Sequence, residues 1–390
     1  MDMEPKSKKK LLRGKCILAG EELNEVTPAS VLIEDNRIAA VGEDAERKCD
    51  ENDVIVNLAD LTLLPGLIDC HNHYSLDPTL KNYLLRMNDD IPDLTIRAIR
   101  NMKTDLLSGI TSSRYLGDKM FVDVACKNAV KNGVLKGPAA VVATRGIRAT
   151  HGHGFVGYAH DGVENIRKVI RENLLSGADF IKIFLTGTLL INNKIPCYFT
   201  KEEIEVVVEE AHRADVPVAT HCIGGKALDL AIETGIDFIE HGYFITDEQI
   251  RKIKSSNSTL ILTPGMFFYD PRIKTLPEGL INGHLEQREE VKRRTKAVIG
   301  SGIDYGTGTD GNHGLLAHEL KILVEFGETP LRALKSVTSV AAGILGMSNE
   351  TGIIAQGKRA DIIGVEGNPI ENIDALRKIK KIYQNGAEIL

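Results

Sequence analysis

Eight short apolar runs recur along the middle of the 390-residue chain, and stretches of helical period separate most of them. Several helical stretches end in glycine just before the next run, as at Gly109, Gly177 and Gly302. This alternation predicts parallel strands joined by crossover helices, and eight strands favour a closed (β/α)8 TIM barrel over a doubly wound sheet. The expected strands are residues 62–69, 110–115, 139–144, 180–185, 216–221, 238–241, 259–263 and 303–309, and the clearest helices are 96–107, 166–175, 202–213 and 286–299.

Both ends of the chain have the composition of short strands. Runs rich in Val, Ile and Leu lie at residues 10–18, 29–33, 37–41 and 54–56, and again at 361–365, 380–383 and 387–390. Asp35-Asn36 and Asn385-Gly386 tolerate positive φ, so both pairs predict tight hairpins. We therefore expect a small β-sandwich domain built from residues 1–60 and 350–390, with the barrel in residues 61–349.

Composition and charge argue against several other classes of protein. Hydrophobic residues make up 43% of the chain, and 48 Lys and Arg against 54 Asp and Glu give a net charge of −6. The sequence contains no basic stripe with interleaved aromatic residues, which is the pattern typical of nucleic-acid binding. It also contains no apolar run long enough to span a membrane. We interpret the basic cluster at residues 6–13 as a solubilising terminus. The expected partner is a small-molecule substrate, and we expect a homo-oligomer.

The cysteines are scattered and form no Cys-x-x-Cys pair, which predicts reduced and mostly buried thiols. No apolar signal segment follows the basic start, so the cytoplasm is the expected location. The six cysteines are Cys16, Cys49, Cys70, Cys126, Cys197 and Cys222.

Residues that bind metals recur at the carboxyl ends of the expected strands, where barrel enzymes carry their catalytic groups. His71 and His73 close the first strand, and alternate residues of a strand share a face, so their imidazoles lie side by side. His221 and His241 close the fifth and sixth strands, and Asp310 follows the eighth. Each residue alone fits an ordinary polar or capping position. Together, at one end of a barrel, they indicate a site for Zn²⁺ or a similar ion.

Lys182 lies inside the apolar run of the expected fourth strand. A buried ammonium is costly and shifts toward its neutral form. One interpretation is an outward register, in which the side chain reaches solvent. The other is an interior amine that has added CO₂, because the resulting carbamate is a bidentate anion able to bridge two metal ions.

The motifs around these residues resemble the amidohydrolase superfamily. The stretch LPGLIDCHNH at residues 64–73 is similar to the opening signature of that superfamily. GITSSR at 109–114 and GADFIK at 177–182 resemble motifs of its imidazolonepropionase-like and prolidase-like (Xaa-Pro dipeptidase-like) branch. GIIAQGKRADI at 352–362 resembles the segment that returns to the β-sandwich of that family. The resemblance covers nearly the whole chain.

The resemblance implies a binuclear metal site and an activity. The implied activity is hydrolysis of an amide C–N bond by a metal-bridging hydroxide, with Asp310 as the catalytic group that takes the proton and passes it to the leaving amine. Carboxylated Lys182 would bridge two divalent ions, most simply Zn²⁺. An N-acyl amino acid or dipeptide-like substrate bearing a carboxylate fits the prolidase-like motifs. The implied metal ligands are His71, His73, Lys182, His221, His241 and Asp310.

Four further residues are candidates for substrate contacts. His153 matches a histidine that lies over the substrate in the resembled branch, and we expect it to act in catalysis by stabilising the substrate carbonyl or the intermediate. In the loop at residues 145–154, His151 stands where that branch has glycine, so the sequence departs there from the pattern of the branch. Arg145 and Arg148 fit either a fork for a substrate carboxylate or solvated loop charges. Tyr243 fits either substrate contact or packing.

Other functions fit the sequence less well. A cyclic amide, such as a lactam or imidazolone, is the main alternative substrate. Deaminases on this scaffold carry, by family resemblance, a Glu three residues after the fifth-strand His, where this chain has Gly224. A catalytically silent scaffold would have eroded ligand positions, and a metal-storage module would not need Asp310 beside an open cleft.

Overall fold

The computed structural model describes residues 9–154 and 156–390, and strands from both chain ends form one eight-stranded sheet. The N-terminal strands are β1 (Lys10–Ala19), β2 (Asn24–Glu25), β3 (Ser30–Glu34), β4 (Arg37–Val41) and β5 (Val54–Pro65), and the C-terminal strands are β16 (Ile362–Glu366), β17 (Ile379–Gln384) and β18 (Ala387–Glu388). Their order is β18-β17-β16-β5-β1-β3-β4, and β2 pairs with the end of β1. Residues 1–8, with the start of the predicted basic cluster, lie outside the described residues.

Both predicted hairpins are present in this sheet. β3 and β4 pair antiparallel around Asp35, whose φ is 53°. β17 and β18 pair antiparallel around Asn385 and Gly386, whose φ values are 55° and 76°. These are the positive values that Asp, Asn and Gly adopt in two-residue turns.

The middle of the chain supplies parallel strands in two further sheets. One contains β6 (Leu67–Asn72), β7 (Ile110–Tyr115) and β8 (Ala139–Val142). The other contains β9 (Gly146–Arg148), β10 (Gly157–Ala159), β11 (Ile181–Phe184), β12 (Val218–Gly224), β13 (Phe238–Phe244), β14 (Thr259–Leu262) and β15 (Tyr305–Thr307), in the order β10-β9-β11-β12-β13-β14-β15. All eight predicted strands are found, whereas the short strands β9 and β10 were not predicted.

The predicted first strand is divided between two sheets. Residues 62–65 belong to β5 in the terminal sheet, and β6 begins after Gly66. A Cβ at Gly66 would lie 2.3 Å from Thr111 Oγ1, so the chain changes sheet at a position where only glycine fits. The apolar pattern runs through both strands and does not reveal the break.

Helices connect the parallel strands and cover them. They are α1 (Glu43–Lys48), α2 (Tyr83–Arg86), α3 (Ile91–Leu107), α4 (Val122–Lys131), α5 (Val163–Leu175), α6 (Lys201–His212), α7 (Gly225–Thr234), α8 (Asp247–Lys254), α9 (Gly265–Phe268), α10 (Asp270–Ile273), α11 (Glu278–Ser301), α12 (Leu316–Glu325), α13 (Pro330–Lys335) and α14 (Ser339–Ile344), with a 3₁₀ helix at Ile373–Arg377. Thr200 begins α6 with a complete capping box, and Gly302 ends α11 in the left-handed conformation.

Burial of apolar faces orients the strands and so positions the site. Ile170, Val207 and Leu228 of α5, α6 and α7 are fully buried in one cluster with Ile183 of β11 and Ile239 of β13. Because the crossover helices lie between parallel strands, the carboxyl ends of β11, β12 and β13 meet at one edge.

The connection from β14 to β15 contains α9, α10 and α11. We expected a helix only from residue 286, but α11 begins at Glu278. The earlier start brings its first turns to the site described below. The six cysteines are free thiols, and Cys70, Cys126 and Cys222 are buried. Within the described residues, no helix combines the length and the apolar character needed to cross a membrane.

Candidate metal centre and active site

Four histidine rings and one carboxylate converge at the carboxyl ends of the parallel strands. The His71 ring centroid lies 5.5 Å from that of His73 and 4.7 Å from that of His241. The His241 centroid lies 4.4 Å from that of His221. Asp310 Oδ1 lies 3.3 Å from His71 Nε2 and 3.5 Å from His73 Nε2. The structure thus brings together side chains that are far apart in sequence.

A buried carboxylate on β13 orients His71. The Nδ1 atom of His71 lies 2.7 Å from Glu240 Oε2, and Glu240 Oε1 accepts a hydrogen bond from Arg114. Burial alone would raise the pKa of Glu240, but Arg114 and His71 outweigh burial and hold that pKa at about 2. The ionised Glu240 accepts a hydrogen bond from His71 Nδ1, which leaves His71 Nε2 directed at Asp310.

Backbone carbonyls orient His73 and His221. The Nδ1 of His73 donates to the Gly117 carbonyl at 2.8 Å, and the Nε2 of His221 donates to the Gly187 carbonyl at 3.1 Å. Burial lowers the pKa of His73 to about 3 and lowers the pKa of His221 well below its ordinary value. Both rings are therefore neutral, and each keeps a second nitrogen able to bind a cation.

Lys182 lies in the interior, since its side chain is 0% exposed. This burial excludes the outward register. Its Nζ has no hydrogen-bond partner in the described part of the chain and lies 5.0 Å from the centroid of the Phe184 ring. Burial lowers the pKa of Lys182 to about 8, so the neutral and nucleophilic amine is accessible near neutral pH.

Asp310 is held from two sides. Its backbone N–H donates to the His71 carbonyl at 2.7 Å, and its own carbonyl accepts a hydrogen bond from Arg272 Nη1. Arg272 Nη2 also lies 3.4 Å from Asp310 Oδ2. Burial alone would raise the pKa of Asp310, but Arg272 and His71 hold that pKa well below its usual range. The carboxylate is therefore ionised.

Two of the predicted substrate contacts lie in this group. The His153 ring centroid is 4.5 Å from that of His221, and burial lowers the pKa of His153 to about 4. The Tyr243 hydroxyl lies 2.8 Å from Thr263 Oγ1 and 3.2 Å from His241 Nδ1. Tyr243 thus supports His241 and also lines the cavity described below.

The structure turns Arg145 away from the site and holds Arg148 against the backbone of the loop that carries His153. Arg145 pairs with Glu172 at 2.8 Å and donates to Asn173 Oδ1 at 3.0 Å, both on α5. Arg148 donates to the Gly152 carbonyl at 3.0 Å. Neither arginine is among the residues that line the cavity. Arg145 precedes and Arg148 ends the unpredicted strand β9, so the sequence contained no basis for their direction.

The donor set fits divalent metal ions. One potential ligand atom from each of His71, His241 and Asp310 lies within 4.8 Å of the others. The buried Lys182 Nζ, which has no hydrogen-bond partner among the described residues, fits the same interpretation, because buried polar atoms otherwise find partners. Neutral imidazoles with an ionised carboxylate are ligands that Zn²⁺ and similar ions prefer.

A cavity of about 620 Å³ opens onto these residues. Its inner end is formed by the histidines, Asp310 and Arg272, and most of its remaining wall is apolar. The outer wall comes from residues 187–191, after β11, and from residues 276–287, which include the start of α11. This volume suits a small-molecule substrate.

Sequence reasoning missed three residues that organise the site. Glu240 lies in an apolar strand next to His241. A charged residue inside an apolar run was a usable signal, as it was for Lys182. Arg114 ends the GITSSR motif at residues 109–114, and the sequence did not indicate its partner. Arg272 lies on the short helix α10, and no pattern in that loop indicates its role.

Neutral imidazoles and an ionised carboxylate, gathered around a small cavity at the carboxyl ends of parallel strands, define a metal-dependent hydrolase. The chain belongs to the amidohydrolase family, whose family model matches residues 62–388. Its class of reaction is the metal-dependent hydrolysis of amide C–N bonds.

Similar proteins confirm the predicted resemblance. Ochratoxinase of Aspergillus niger is 27% identical over 392 residues, which cover 91% of this chain and 80% of that protein. An imidazolonepropionase of Colwellia psychrerythraea is 21% identical over 421 residues, which cover 95% of this chain and 93% of that protein. A solved structure of a Xaa-Pro dipeptidase, with methionine bound in the active site, is 25% identical with a TM-score of 0.86, and the match covers 98% of this chain and 100% of that chain.

Proposed function

We propose that the protein hydrolyses an acyclic amide that bears a free carboxylate, as in an N-acyl amino acid or a dipeptide. The observation that carries this proposal is that the candidate metal ligands line a small cavity. Among the described residues that line this cavity, Arg272 is the one Lys or Arg. Three of the five N–H groups of Arg272 face Tyr83 and Asp310, so two remain for a substrate carboxylate.

We propose that the site holds two divalent ions, most simply Zn²⁺, and that Lys182 is carboxylated. When bound, such ions lower the pKa of a water molecule and polarise the scissile carbonyl. The buried Nζ of Lys182 has no hydrogen-bond partner among the described residues. This supports carboxylation, because a carbamate there would gain partners that the amine lacks. The proposed ligands are His71, His73, Lys182, His221, His241 and Asp310.

The chain's own residues would position the substrate and move the proton. Asp310 is ionised, so its carboxylate can accept the proton of the attacking water and pass it to the leaving amine. His153 is neutral and lies beside His221, where a ring N–H could donate to the developing oxyanion. Tyr243 would keep His241 in place through Thr263 and would contact substrate.

A cyclic amide is the second candidate substrate. It is favoured by the similarity to imidazolonepropionases, which extends over most of the chain. In a cyclic substrate the ring supplies the orientation, so a cationic partner for a carboxylate would matter less.

For the architecture, we propose that the two parallel sheets together form one closed (β/α)8 TIM barrel in residues 61–349. Support comes from hydrogen bonds between them on both sides, from Asp179 N to Val142 O at 2.8 Å and from Asp310 N to His71 O at 2.7 Å. We further propose that residues 1–60 and 350–390 form a β-sandwich domain, with β5 passing from one domain into the other. We also propose that the protein is cytoplasmic and that it forms a homo-oligomer.

The test combines metal content with a substrate panel. Metal is measured by mass spectrometry before and after chelation. Hydrolysis is followed for N-acyl amino acids, their methyl esters, Xaa-Pro dipeptides and a small lactam. We expect two divalent ions per chain, activity that chelation abolishes and metal restores, and the highest kcat/KM for free acids. Hydrolysis confined to the lactam would favour the cyclic alternative, and full activity in metal-free protein would refute the proposal.

A further inference from the structure

Two segments wall the outer part of the cavity. Leucine side chains of both segments line it, and the second segment also contributes the polar side chains of Asn282, His284 and Gln287. The loop wall consists of residues 188–191, after β11, and the helix wall consists of residues 276–287, which include the first turns of α11. Leu189 of the loop wall and Leu280 of the helix wall line the same space. The two walls pack closely at Gly283, where an added Cβ would lie only 2.7 Å from Leu189 Cδ1.

One side chain fixes the loop wall to the helix wall. The Gln287 Oε1 accepts a hydrogen bond from Leu190 N at 2.9 Å, and the Gln287 Nε2 donates to Leu190 O at 3.2 Å. Gln287 thus pairs with both peptide groups of Leu190, as a neighbouring strand would. The outer wall is therefore a built surface whose shape depends on this pair.

The charges of the cavity lie at its two ends. Among the described lining residues, Asp310 and Arg272 stand at the inner end, and Glu286 is exposed on the helix wall. Below the two walls, Phe184 and Val156 continue the apolar surface toward the histidines. A polar group held against Leu189, Leu280 or Phe184 would lose water without gaining a partner, whereas an apolar group gains free energy there in proportion to its buried area.

We infer that the substrate carries a bulky apolar group, aromatic or branched aliphatic, next to the scissile amide, and that the loop wall and the helix wall hold it. This inference rests on the proposed amide hydrolysis and narrows its substrate class. Small polar dipeptides and acetylated glycine are then poor substrates, because they leave the apolar wall exposed to water.

Two matched series of amides test the inference with the metal-loaded enzyme. One series varies the acyl side as acetyl-, hexanoyl- and 2-naphthoylglycine, and the other varies the amine side as acetylglycine, acetylleucine and acetylphenylalanine. We expect a bulky member to exceed acetylglycine in kcat/KM by at least ~10-fold in one series or both. Equal values throughout, or acetylglycine as the best substrate, would overturn the inference even though amide hydrolysis itself is observed.

Variants of the wall connect the preference to these residues. Leu189→Asp places a charge in the loop wall, and Gln287→Ala removes the pair that holds it. Each should reduce the ratio of bulky to small kcat/KM by at least ~10-fold. The matched controls are Leu285→Asp and Glu289→Ala, at exposed positions of α11 that do not line the cavity. A ratio that falls equally in the controls, or in neither wall variant, would refute the role of the walls.

Binding to metal-free protein separates this inference from the proposed function. Calorimetric titration of chelator-treated protein with 2-naphthoylglycine and acetylglycine needs no catalysis. We expect the naphthoyl compound to bind at least ~10-fold tighter in wild type and to lose that advantage in Leu189→Asp. If no amide is hydrolysed but this binding holds, the proposed function fails and the apolar recognition site remains. Equal binding of the two compounds would overturn the inference.

Discussion

Arg272 Nη1 donates a hydrogen bond to the backbone carbonyl of Asp310, and Arg272 Nη2 lies 3.4 Å from Asp310 Oδ2. Asp310 has a φ of 50°, in the left-handed region that costs free energy for residues other than glycine. One buried guanidinium therefore stabilises an unfavourable backbone conformation and directs the carboxylate toward His71 and His73.

Arg272→Met should disorder Asp310 while leaving the other proposed ligands intact. We expect kcat to fall ~10²-fold, because misplacing a catalytic group costs about that much, with most of the bound metal retained. Arg272→Lys should recover only part of the loss, since an ammonium cannot match both contacts of the planar fork. Steady-state kinetics with metal analysis checks this, and near-normal kcat in the Met variant would exclude a positioning role.

Asp310→Asn is expected to abolish turnover while preserving the fold and much of the metal content. The substitution keeps the shape and one oxygen ligand but removes the proton acceptor, so the loss should be at least ~10²-fold. Asp270→Asn, at an exposed carboxylate beside Arg288, is the control and should remain active. If Asp310→Asn keeps normal turnover across the pH range, another group is the base.

Lys182→Ala should lose metal, because it removes the proposed bridging carbamate. Short carboxylic acids added to this variant should restore part of the metal binding and activity by supplying an anion in the vacated space. Lys182→Arg should show no such rescue, since a guanidinium cannot become an anion. A crystal structure of wild type with full metal and an unmodified Lys182 would refute carboxylation.

The sequence predicted most of the parallel strands because strands buried on both faces are continuous apolar runs. It could not predict β9 and β10, since three-residue strands such as Gly146–Arg148 carry no periodic signal. It could not place the break at Gly66 either, because the partner that forces glycine there, Thr111, is set by tertiary packing. The early start of α11 was missed because Gly279 and Gly283 weaken its helical pattern.

The same distinction separates the site residues that the sequence predicts from those that it does not. Ligands at strand ends, such as His71 and His241, were predictable because topology alone brings those ends together. Arg272 was not, because it reaches the site from a loop whose path depends on packing. For Arg145 the sequence left both a substrate contact and a solvated loop charge open, and the structure pairs it instead with the Glu172 carboxylate on α5.

Glu240→Gln tests whether the buried ion pair of Glu240 with Arg114 stabilises the fold and the proposed metal site. The change leaves Arg114 as an uncompensated buried charge and removes the carboxylate that fixes the proton on His71 Nδ1. We expect the free energy of unfolding to fall by about 3–5 kcal/mol and metal affinity to fall ~10–100-fold. The control is Glu350→Gln in the exposed pair with Arg37, where the change should stay below about 1 kcal/mol. Denaturant titration and metal competition measure both effects, and equal small losses in the two variants would contradict the expectation.

Arg145→Ala decides between two positions for the substrate carboxylate. Because Arg145 pairs with Glu172 and donates to Asn173, we expect the variant to lose only about 1 kcal/mol of stability, as for a partly exposed ion pair. Its preference for an N-acyl amino acid over the methyl ester of the same compound should stay within ~2-fold of wild type, because the side chain does not reach the cavity. Arg272→Met should reduce that preference, since Arg272 is the guanidinium at the inner end of the cavity. The measurement is the ratio of kcat/KM for acid and ester in each variant at equal metal content. If Arg145→Ala erases the preference and Arg272→Met does not, the carboxylate binds at the segment that carries Arg145 and the role proposed for Arg272 is wrong.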